Sequence, residues 1–127
     1  MKPPSDPLSE ALRLQLDAAA EGFDWADQAG LWDKLAEEIH ELQQAPDAAN
    51  RQEELGDLLF MVVNLSRHLG VDAAAALAAA NAKFRRRYVH VAQHLGELPP
   101  LGDPARLERM EALWQEAKKL EWYKKTS

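Results

Sequence analysis

Two short acidic segments are the parts of this 127-residue chain whose residue types and spacing could do chemistry. They read Glu37-Glu38-Ile39-His40-Glu41 and Glu53-Glu54-Leu55-Gly56-Asp57. Carboxylates do not gather beside an apolar seam without a counter-charge, because like charges raise each other's pKa and burial adds to the cost. A divalent metal ion is the commonest counter-charge, so the two segments predict a metal site.

Helical phase narrows these segments to a smaller set of carboxylates. Each segment lies in a stretch with helical apolar spacing, and two helices joined by a connection as short as the one around Pro46 are usually antiparallel neighbours. At about 100° per residue, the phase turns Glu37 and Glu53 away from the apolar stripe. It selects four inward-reaching carboxylates, in two pairs spaced i, i+3: Glu38, Glu41, Glu54 and Asp57. Oxygen ligands of this kind suit Mg²⁺, with Mn²⁺ as the alternative.

A solvated acidic face is the other explanation of these segments, and a basic stripe further along the chain argues against it. Lys83 and Arg87 lie one turn apart on a later predicted helix, where they can neutralise the oxygens of a phosphorylated ligand. Trp114 and Lys118, one turn apart in the last predicted helix, could add a stacking surface and a further charge. Packing in the core is the alternative role for Trp114.

Two histidine patterns are weaker signals. His90 and His94 have the spacing of metal ligands, but no third ligand lies nearby in the sequence, and we expect exposed helical histidines. Glu37-x-x-His40 matches one half of a di-iron motif whose second copy the chain lacks. The alternatives to an enzyme are therefore a metal-binding bundle protein of the di-iron kind and a non-catalytic helical adaptor that binds a basic partner.

The sequence predicts that all the secondary-structure elements that position these residues are helices. Apolar residues recur at helical spacing, and neither an alternating run nor an Asn-Gly or Asp-Gly hairpin signal predicts a strand. The expected fold is all-α, a bundle of four to five helices in one domain over residues 1–127. The second helix is predicted over about residues 29–44, and the third over about residues 50–69.

Capping signals set the predicted ends of these helices. Asp6-Pro7 and Asp103-Pro104 each combine a cap with a proline at the first helical position, and Asp72 can cap the fourth helix. Asn50-x-x-Glu53 resembles a capping box at the start of the third helix. The local sequence therefore predicts where four of the five helices begin.

Two further expectations concern burial. The loop Phe23-Asp24-Trp25, which follows a helix-ending Gly22, should tuck its two aromatic rings onto the bundle. The third helix, ended by Gly70, is apolar nearly all round, and such a helix is buried on more than one side. A chain this small rarely buries a helix fully, so we expect a subunit interface there, in a homodimer or a higher homo-oligomer.

Composition bounds the class of protein and its partners. A net charge of −6 makes the chain a poor general binder of nucleic acid, so none is expected as a partner. The absence of cysteine excludes disulfides and thiolate chemistry and fits a cytoplasmic location. No apolar run approaches the ~20 residues that a membrane span needs, and no secretory signal is expected at the N-terminus. We therefore expect no membrane partner.

Several ordered blocks together resemble one family. Glu37-Glu38-x-x-Glu41, twelve further residues and Glu54-x-x-Asp57 are similar to the EExxE–ExxD signature of the all-α NTP pyrophosphohydrolases, and more narrowly to the MazG type. Other MazG-like blocks are Gly22-Phe23-Asp24-Trp25, Glu53 to Phe60, Asn64 to Gly70, Ala80 to Arg87, and Trp114-x-x-x-Lys118. The resemblance covers about residues 22–120, which would form the core of a single MazG-like domain.

This resemblance implies an all-α domain that dimerises through its bundle. It implies a Mg²⁺-dependent nucleoside triphosphate pyrophosphohydrolase, which hydrolyses (d)NTP to (d)NMP and pyrophosphate by metal-activated attack of water at the α-phosphorus. The residues implied as metal ligands and catalytic groups are Glu38, Glu41, Glu54 and Asp57. The residues implied to contact the nucleotide or its phosphates are Lys83, Arg87, Trp114 and Lys118.

Overall fold

Five α-helices make up most of residues 6–126, the part of the chain that the computed structural model describes, with side chains through residue 124. In chain order they are α1 (Pro7–Ala20), α2 (Gln28–Gln43), α3 (Ala48–His68), α4 (Ala73–Ala92) and α5 (Pro104–Thr126). A short 3₁₀ turn, Leu95–Glu97, lies between the last two. These described residues contain no strand, which confirms the all-α expectation. No single helix among them is long and apolar enough to cross a membrane; α3 and α4 meet that test only as a bent pair.

An aspartate precedes each of these helices. Its carboxylate accepts a hydrogen bond from a backbone N–H of the first turn, a group that a helix N-terminus otherwise leaves unpaired. The five are Asp6, Asp27, Asp47, Asp72 and Asp103. Three of them are the caps that the sequence predicts: Asp6, Asp72 and Asp103. Each helix therefore carries its own start signal in the local sequence.

The predicted capping box at Asn50 is wrong. Oδ1 of Asp47 accepts from both the backbone N–H and the side-chain amide of Asn50, at 2.9 and 3.0 Å. The helix consequently begins at Ala48, and Asn50 is already inside its first turn. Asp47 follows Pro46 directly, so the proline that interrupts the helical pattern also marks the position of the cap.

Contacts along the chain divide it into two compact units, Met1–Ala76 and Leu77–Ser127. In the first unit, α2 packs along α3, and α1 packs against α3 over a smaller area. Its core consists of Leu31, Leu35 and Met61, with the partly buried Trp25, Leu58 and Leu65 packed against them. The expectation of one domain over residues 1–127 stays a prediction.

The second unit contains the greater part of α4 and all of α5. Side chains of the two helices meet at Phe84 and Trp114, whose ring centroids are 5.3 Å apart. The buried apolar residues of this unit are Val91, Leu113 and Ala117. The α4–α5 pair therefore presents its own buried seam and its own set of cross-helix contacts.

The two aromatic residues of the loop between α1 and α2 differ in burial. Gly22 has a φ of 91°, a left-handed conformation that glycine adopts without steric cost. Trp25 packs on the core as predicted, and its ring lies 3.4 Å from the point where a Cβ on Gly30 would stand. Phe23 is 83% exposed, so the prediction that both rings are tucked in is wrong for Phe23. Apolar character alone does not reveal which way the turn at Gly22 directs each ring.

The long helix α3 buries one face and leaves another open within this chain. Its buried residues are Met61, Val63 and Asn64. Large apolar side chains on another face of the helix and at its C-terminal cap are 44–57% exposed, namely Leu55, Leu59, Val62 and Leu69. A subunit interface would cover this open face, and that expectation stays a prediction.

Candidate functional site

Three carboxylates meet where α2 and α3 pack together. This carboxylate cluster consists of Glu38, Glu41 and Glu54. One carboxylate oxygen from each residue lies within 4.8 Å of the other two. Glu38 follows the core residues Leu35 and Leu31 by three and seven positions, so it shares their helix face. Glu54 precedes the core residue Met61 by two turns of α3. The packing of the apolar residues therefore fixes where these carboxylates point.

Two oxygen atoms of the carboxylate cluster are buried without a hydrogen-bond donor. They are Oε2 of Glu38 and Oε2 of Glu54, for which no partner lies in the described part of the chain. Glu38 as a whole is only 6% exposed. Because buried polar atoms are nearly always paired, orphaned carboxylate oxygens require an explanation, and a bound cation is one. Hard oxygen ligands from three carboxylates fit a divalent cation of the Mg²⁺ kind.

The charges at the carboxylate cluster leave it negative. Nζ of Lys34 lies 3.4 Å from Oε1 of Glu38, and this carboxylate is the main cause of the raised pKa of Lys34. One ammonium group does not neutralise three carboxylates. Burial raises the pKa of Glu54, and the negative charge of Glu41 adds to the rise. The cluster therefore favours a bound proton or a bound cation over the fully ionised, uncompensated state.

The fourth predicted ligand lies outside the carboxylate cluster. Asp57 is exposed and does not belong to the group of mutually close oxygens. Burial is the largest cause of the raised pKa of Glu54, and the charge of Asp57 is among the smaller ones. Glu37 and Glu53, which helical phase turns away from the seam, are both exposed. The assignment of Asp57 as a metal ligand stays a prediction.

A second group of functional candidates lies in the C-terminal unit. This Arg87 cluster consists of Phe84, Arg87, Trp114 and Glu121. The guanidinium carbon of Arg87 stands 5.6 Å from the centroid of the Trp114 ring, within reach of a cation–π contact. Nε of Arg87 donates a hydrogen bond to Oε2 of Glu121 at 3.2 Å. Phe84 contacts the same indole ring, with the two ring planes tilted by 44°.

The structure does not bring the two predicted lysines into this cluster. Lys83 and Lys118 are exposed, and the described side chains form no ion pair or hydrogen bond with either. Glu121 is the member that sequence reasoning misses. Its spacing of seven from Trp114 and three from Lys118 puts all three on one face of α5, and this spacing is the signal that could have identified it.

Each of the two histidines near the end of α4 lies close to a carboxylate. Nε2 of His90 lies 3.7 Å from Oε2 of Glu116, and Nδ1 of His94 lies 2.8 Å from Oε2 of Glu97. Their side chains are 22% and 33% exposed, so the prediction of exposed helical histidines is wrong. His94 lies beyond the last helical residue, Ala92.

A polar network centred on Arg67 joins α1, the following loop and α3. The two Nη atoms of Arg67 donate hydrogen bonds to the carboxylate of Asp24 at 2.9 and 3.1 Å. This contact holds the pKa of the Asp24 carboxyl well below its usual range. Nε donates to Oε1 of Gln15, and Nη2 donates to Oδ1 of Asn64. Gln15 and Asn64 are 5% and 6% exposed. The amino-acid sequence does not predict this network, because Asp24 and Gln15 lie 43 and 52 positions from Arg67.

Comparison with known proteins identifies the family. The family model described as the MazG nucleotide pyrophosphohydrolase domain matches residues 27–92, which contain the whole carboxylate cluster. The Thermotoga maritima protein named nucleoside triphosphate pyrophosphohydrolase/pyrophosphatase MazG is 40% identical over 111 residues, covering 87% of this chain and 44% of that protein. The nucleoside triphosphate pyrophosphohydrolase of Escherichia coli K12 is 41% identical over 119 residues, covering 90% of this chain and 45% of that protein.

A third relative matches a shorter part of the chain. The uncharacterized protein YabN of Bacillus subtilis is 39% identical over 78 residues, which are 61% of this chain and 16% of that protein. The chain spans less than half the length of the Thermotoga and Escherichia relatives. The family model covers more than half of the chain and includes both acidic segments of the signature. The chain therefore belongs to the MazG nucleotide pyrophosphohydrolase family.

Proposed function

We propose that this chain is a Mg²⁺-dependent nucleoside triphosphate pyrophosphohydrolase, which converts a (d)NTP to the (d)NMP and pyrophosphate. The names of the Thermotoga and Escherichia relatives support this activity. The geometry of the carboxylate cluster supports its dependence on a divalent cation.

The observation that carries the proposal is the pair of orphaned oxygens in the carboxylate cluster. A solvated acidic face would turn its oxygens toward water, whereas Oε2 of Glu38 and Oε2 of Glu54 are buried without a partner in the described residues. Burial of uncompensated carboxylates is costly, and a divalent cation offsets that cost. This arrangement favours the metal-dependent enzyme over an adaptor that binds through exposed acidic groups.

The residues of each cluster have separate proposed roles. Glu38, Glu41 and Glu54 hold the cation, with Asp57 as the further ligand that the family signature implies. A bound Mg²⁺ supplies positive charge for the phosphate oxygens and lowers the pKa of a bound water. The side chains proposed to contact the nucleotide or its phosphates are Lys83, Arg87, Trp114 and Lys118.

The proposed reaction is an attack of water at the α-phosphorus. The water oxygen forms a bond to that phosphorus, the bond from phosphorus to the oxygen that bridges to the β-phosphate breaks, and the proton of the water is released. Pyrophosphate leaves with the bridging oxygen. The guanidinium of Arg87 suits the dispersed charge of the leaving group, because its planar donors match phosphate oxygens.

Product analysis in labelled water tests this reaction. The protein is incubated with Mg²⁺ and each common NTP and dNTP in water enriched in oxygen-18, and the products are separated and weighed by mass spectrometry. Attack at the α-phosphorus places the label in the (d)NMP. Label in the pyrophosphate would move the attack to the β-phosphorus, and release of orthophosphate would reject both.

The variant Glu38→Gln tests whether the activity depends on the carboxylate cluster, and Glu53→Gln is its matched control. Glu38 is buried in the cluster, whereas Glu53 is exposed and outside it. We expect the Glu38 variant to lose roughly 100-fold or more of the Mg²⁺-dependent rate, and the Glu53 variant to keep it. An adaptor would show no turnover of any nucleotide, and a di-iron protein would contain iron after aerobic purification.

We also propose that the chain forms at least a homodimer. The open apolar face of α3 supports this proposal, since Leu55, Leu59, Val62 and Leu69 are 44–57% exposed there in the single chain. Contiguous apolar surface of this kind commonly marks a site of protein association.

A further inference from the structure

We infer that Glu121 is a positioning residue, which holds the guanidinium of Arg87 so that its outer nitrogens are presented to a phosphate group. The inference rests on the proposed role of Arg87 as a phosphate contact. Neither the MazG resemblance nor the helical phase assigns any role to Glu121.

Two contacts fix the side chain of Arg87. Nε donates to Oε2 of Glu121 at 3.2 Å, and the guanidinium carbon stands 5.6 Å from the centroid of the Trp114 ring. The Arg87 side chain is 17% exposed. A guanidinium held at its edge by a carboxylate and over its face by an indole has little rotational freedom left to lose when a ligand binds.

The contact with Glu121 leaves the phosphate-binding part of Arg87 available. A guanidinium carries five N–H donors in one plane, and Glu121 takes the single one on Nε. Within the described residues, neither Nη atom of Arg87 makes a hydrogen bond. The two Nη atoms can therefore make an end-on, two-pronged contact with a phosphate.

Charge argues against the opposite role, in which Glu121 would occupy Arg87 and block it. Oε1 of Glu121 lies 3.7 Å from Nε of Arg86, so two guanidinium groups share one carboxylate and the trio stays positive. The same Oε1 is buried and accepts no hydrogen bond within the described part of the chain. Glu121 is thus held between the two arginines, where it orients Arg87 without cancelling the local positive charge.

Steady-state kinetics and a direct binding measurement test the inference with three variants. Glu121→Ala removes the acceptor, Glu121→Gln keeps an oxygen acceptor of the same shape, and Glu121→Met fills the volume without a strong acceptor. We expect Glu121→Ala and Glu121→Met to raise KM about tenfold, the effect of losing one charge-assisted hydrogen bond. Most of the loss should lie in KM rather than kcat, because the β- and γ-phosphates are charged before the reaction as well as after it. Glu121→Gln should stay within about threefold of the wild type.

Calorimetric titration with Mg²⁺ and inorganic tripolyphosphate separates this inference from the proposed activity. The Kd should rise by the same factor as KM in the two variants without an acceptor, and recover in Glu121→Gln. Glu116→Ala is the matched control, since Glu116 lies on the same helix and faces His90 instead. Circular dichroism and a thermal melt confirm that each variant is folded, and Glu121→Met replaces Glu121→Ala if the alanine variant is not.

Each outcome decides one of the two claims. A wild type that hydrolyses nucleotides while Glu121→Ala and Glu121→Met match it in KM and Kd overturns the inference and leaves the activity standing. A lower KM in those variants also overturns it, because Glu121 would then be a block. A wild type without turnover, but with tripolyphosphate binding that the two variants weaken, rejects the activity and supports the inference. No tripolyphosphate binding by the wild type rejects the inference.

Discussion

At the scale of single residues, the cation proposed for the carboxylate cluster would compete with protons for the same oxygen atoms. Among the residues that the structure describes, the cluster's three carboxylates face one ammonium group, and two of its oxygens are buried without a hydrogen-bond donor. An ionised glutamate in such surroundings is destabilised by burial and by like charge, and either a proton or a divalent cation relieves both effects. We therefore expect the stability of the protein to respond to pH and to Mg²⁺ in a linked way.

Glu54 sets the expected pH dependence of the metal-free protein. Its pKa is raised above the ordinary value of 4.5, chiefly by burial and then by the charge of Glu41. A raised folded-state pKa means that the folded protein binds this proton more tightly than the unfolded chain does. The resulting stability is fully present below the unfolded pKa and is lost as the pH rises through the folded pKa. We expect the free energy of unfolding to fall over this window, and to fall less in Glu54→Gln.

Urea unfolding in EDTA at a series of pH values measures this difference. Mg²⁺ added at neutral pH should stabilise the wild type and should have little effect on Glu54→Gln, because the variant lacks a charged ligand. Glu53→Gln is the matched control, since Glu53 is exposed and outside the cluster. Parallel pH profiles for the wild type and Glu54→Gln would contradict the linkage.

Angular position around a helix is a local property, and for that reason the sequence predicts much of this cluster. Helical phase alone selects Glu38, Glu41 and Glu54, whose oxygens the structure brings together. It also selects Asp57, which the structure leaves exposed and outside the group. Helical phase does not show which turn of α3 packs beside which turn of α2, because that depends on contacts between the two helices. Sequence reasoning misses Glu121 because its partner, Arg87, lies on another helix, 34 residues away.

At the scale of helices, local capping signals determine where each helix begins, independently of how the helices pack. An aspartate caps each helix through a hydrogen bond within its own first turn. A cap of this kind satisfies a backbone donor that would otherwise depend on water. The position of each helix along the chain is therefore largely fixed before the helices pack.

Replacing Asp47 tests this account at α3, where the cap differs from the predicted one. We expect Asp47→Ala to lower the free energy of unfolding by about 1 kcal/mol, because Oδ1 of Asp47 accepts from the backbone N–H of Asn50. Asn50→Ala should cost less, since it removes only the side-chain contact to Asp47. Urea unfolding measures both variants. Equal losses, or a larger loss in Asn50→Ala, would restore Asn50 as the cap.

These local signals explain why the helices were predictable and some of their contacts were not. The predicted spans of about residues 29–44 and 50–69 compare with Gln28–Gln43 and Ala48–His68 in the structure. Phe23 was predicted to be tucked in and is exposed, because the backbone turn rather than the side chain decides its direction. Besides Asn64 on α3, Arg67 contacts Gln15 of α1 and Asp24 of the following loop, and no periodic pattern links it to residues so distant in sequence.

At the scale of the whole molecule, the open face of α3 is the surface on which the proposed homodimer depends. The apolar pattern of this helix predicts burial on several sides, whereas the single chain buries only part of it. A second copy of the chain that covers Leu59 and its neighbours would account for the remaining apolar positions. The proposed homodimer thus follows from the same side chains that made the helix stand out in the sequence.

Leu59→Lys tests this assembly. Leu59 is 57% exposed in the single chain, and a lysine buried there by a partner subunit would lack a counter-charge. We expect light scattering after size exclusion to give at least twice the chain mass for the wild type and a lower mass for the variant. Leu101→Lys is the control, because Leu101 is 85% exposed in the loop before α5. A wild type that stays monomeric at all concentrations would refute the dimer.

The Arg67 network has a consequence for how the first unit opens in its native state. Detaching α1 would remove Gln15 from Arg67, and releasing the loop would remove Asp24. Each buried polar group left unpaired costs about 1–3 kcal/mol. We therefore expect α1, the loop and the end of α3 to open together, so that their amide protons exchange with solvent as one cooperative unit. The detachment of α1, which contributes no residue to either cluster, thus controls how often the buried side of α3 becomes exposed to solvent.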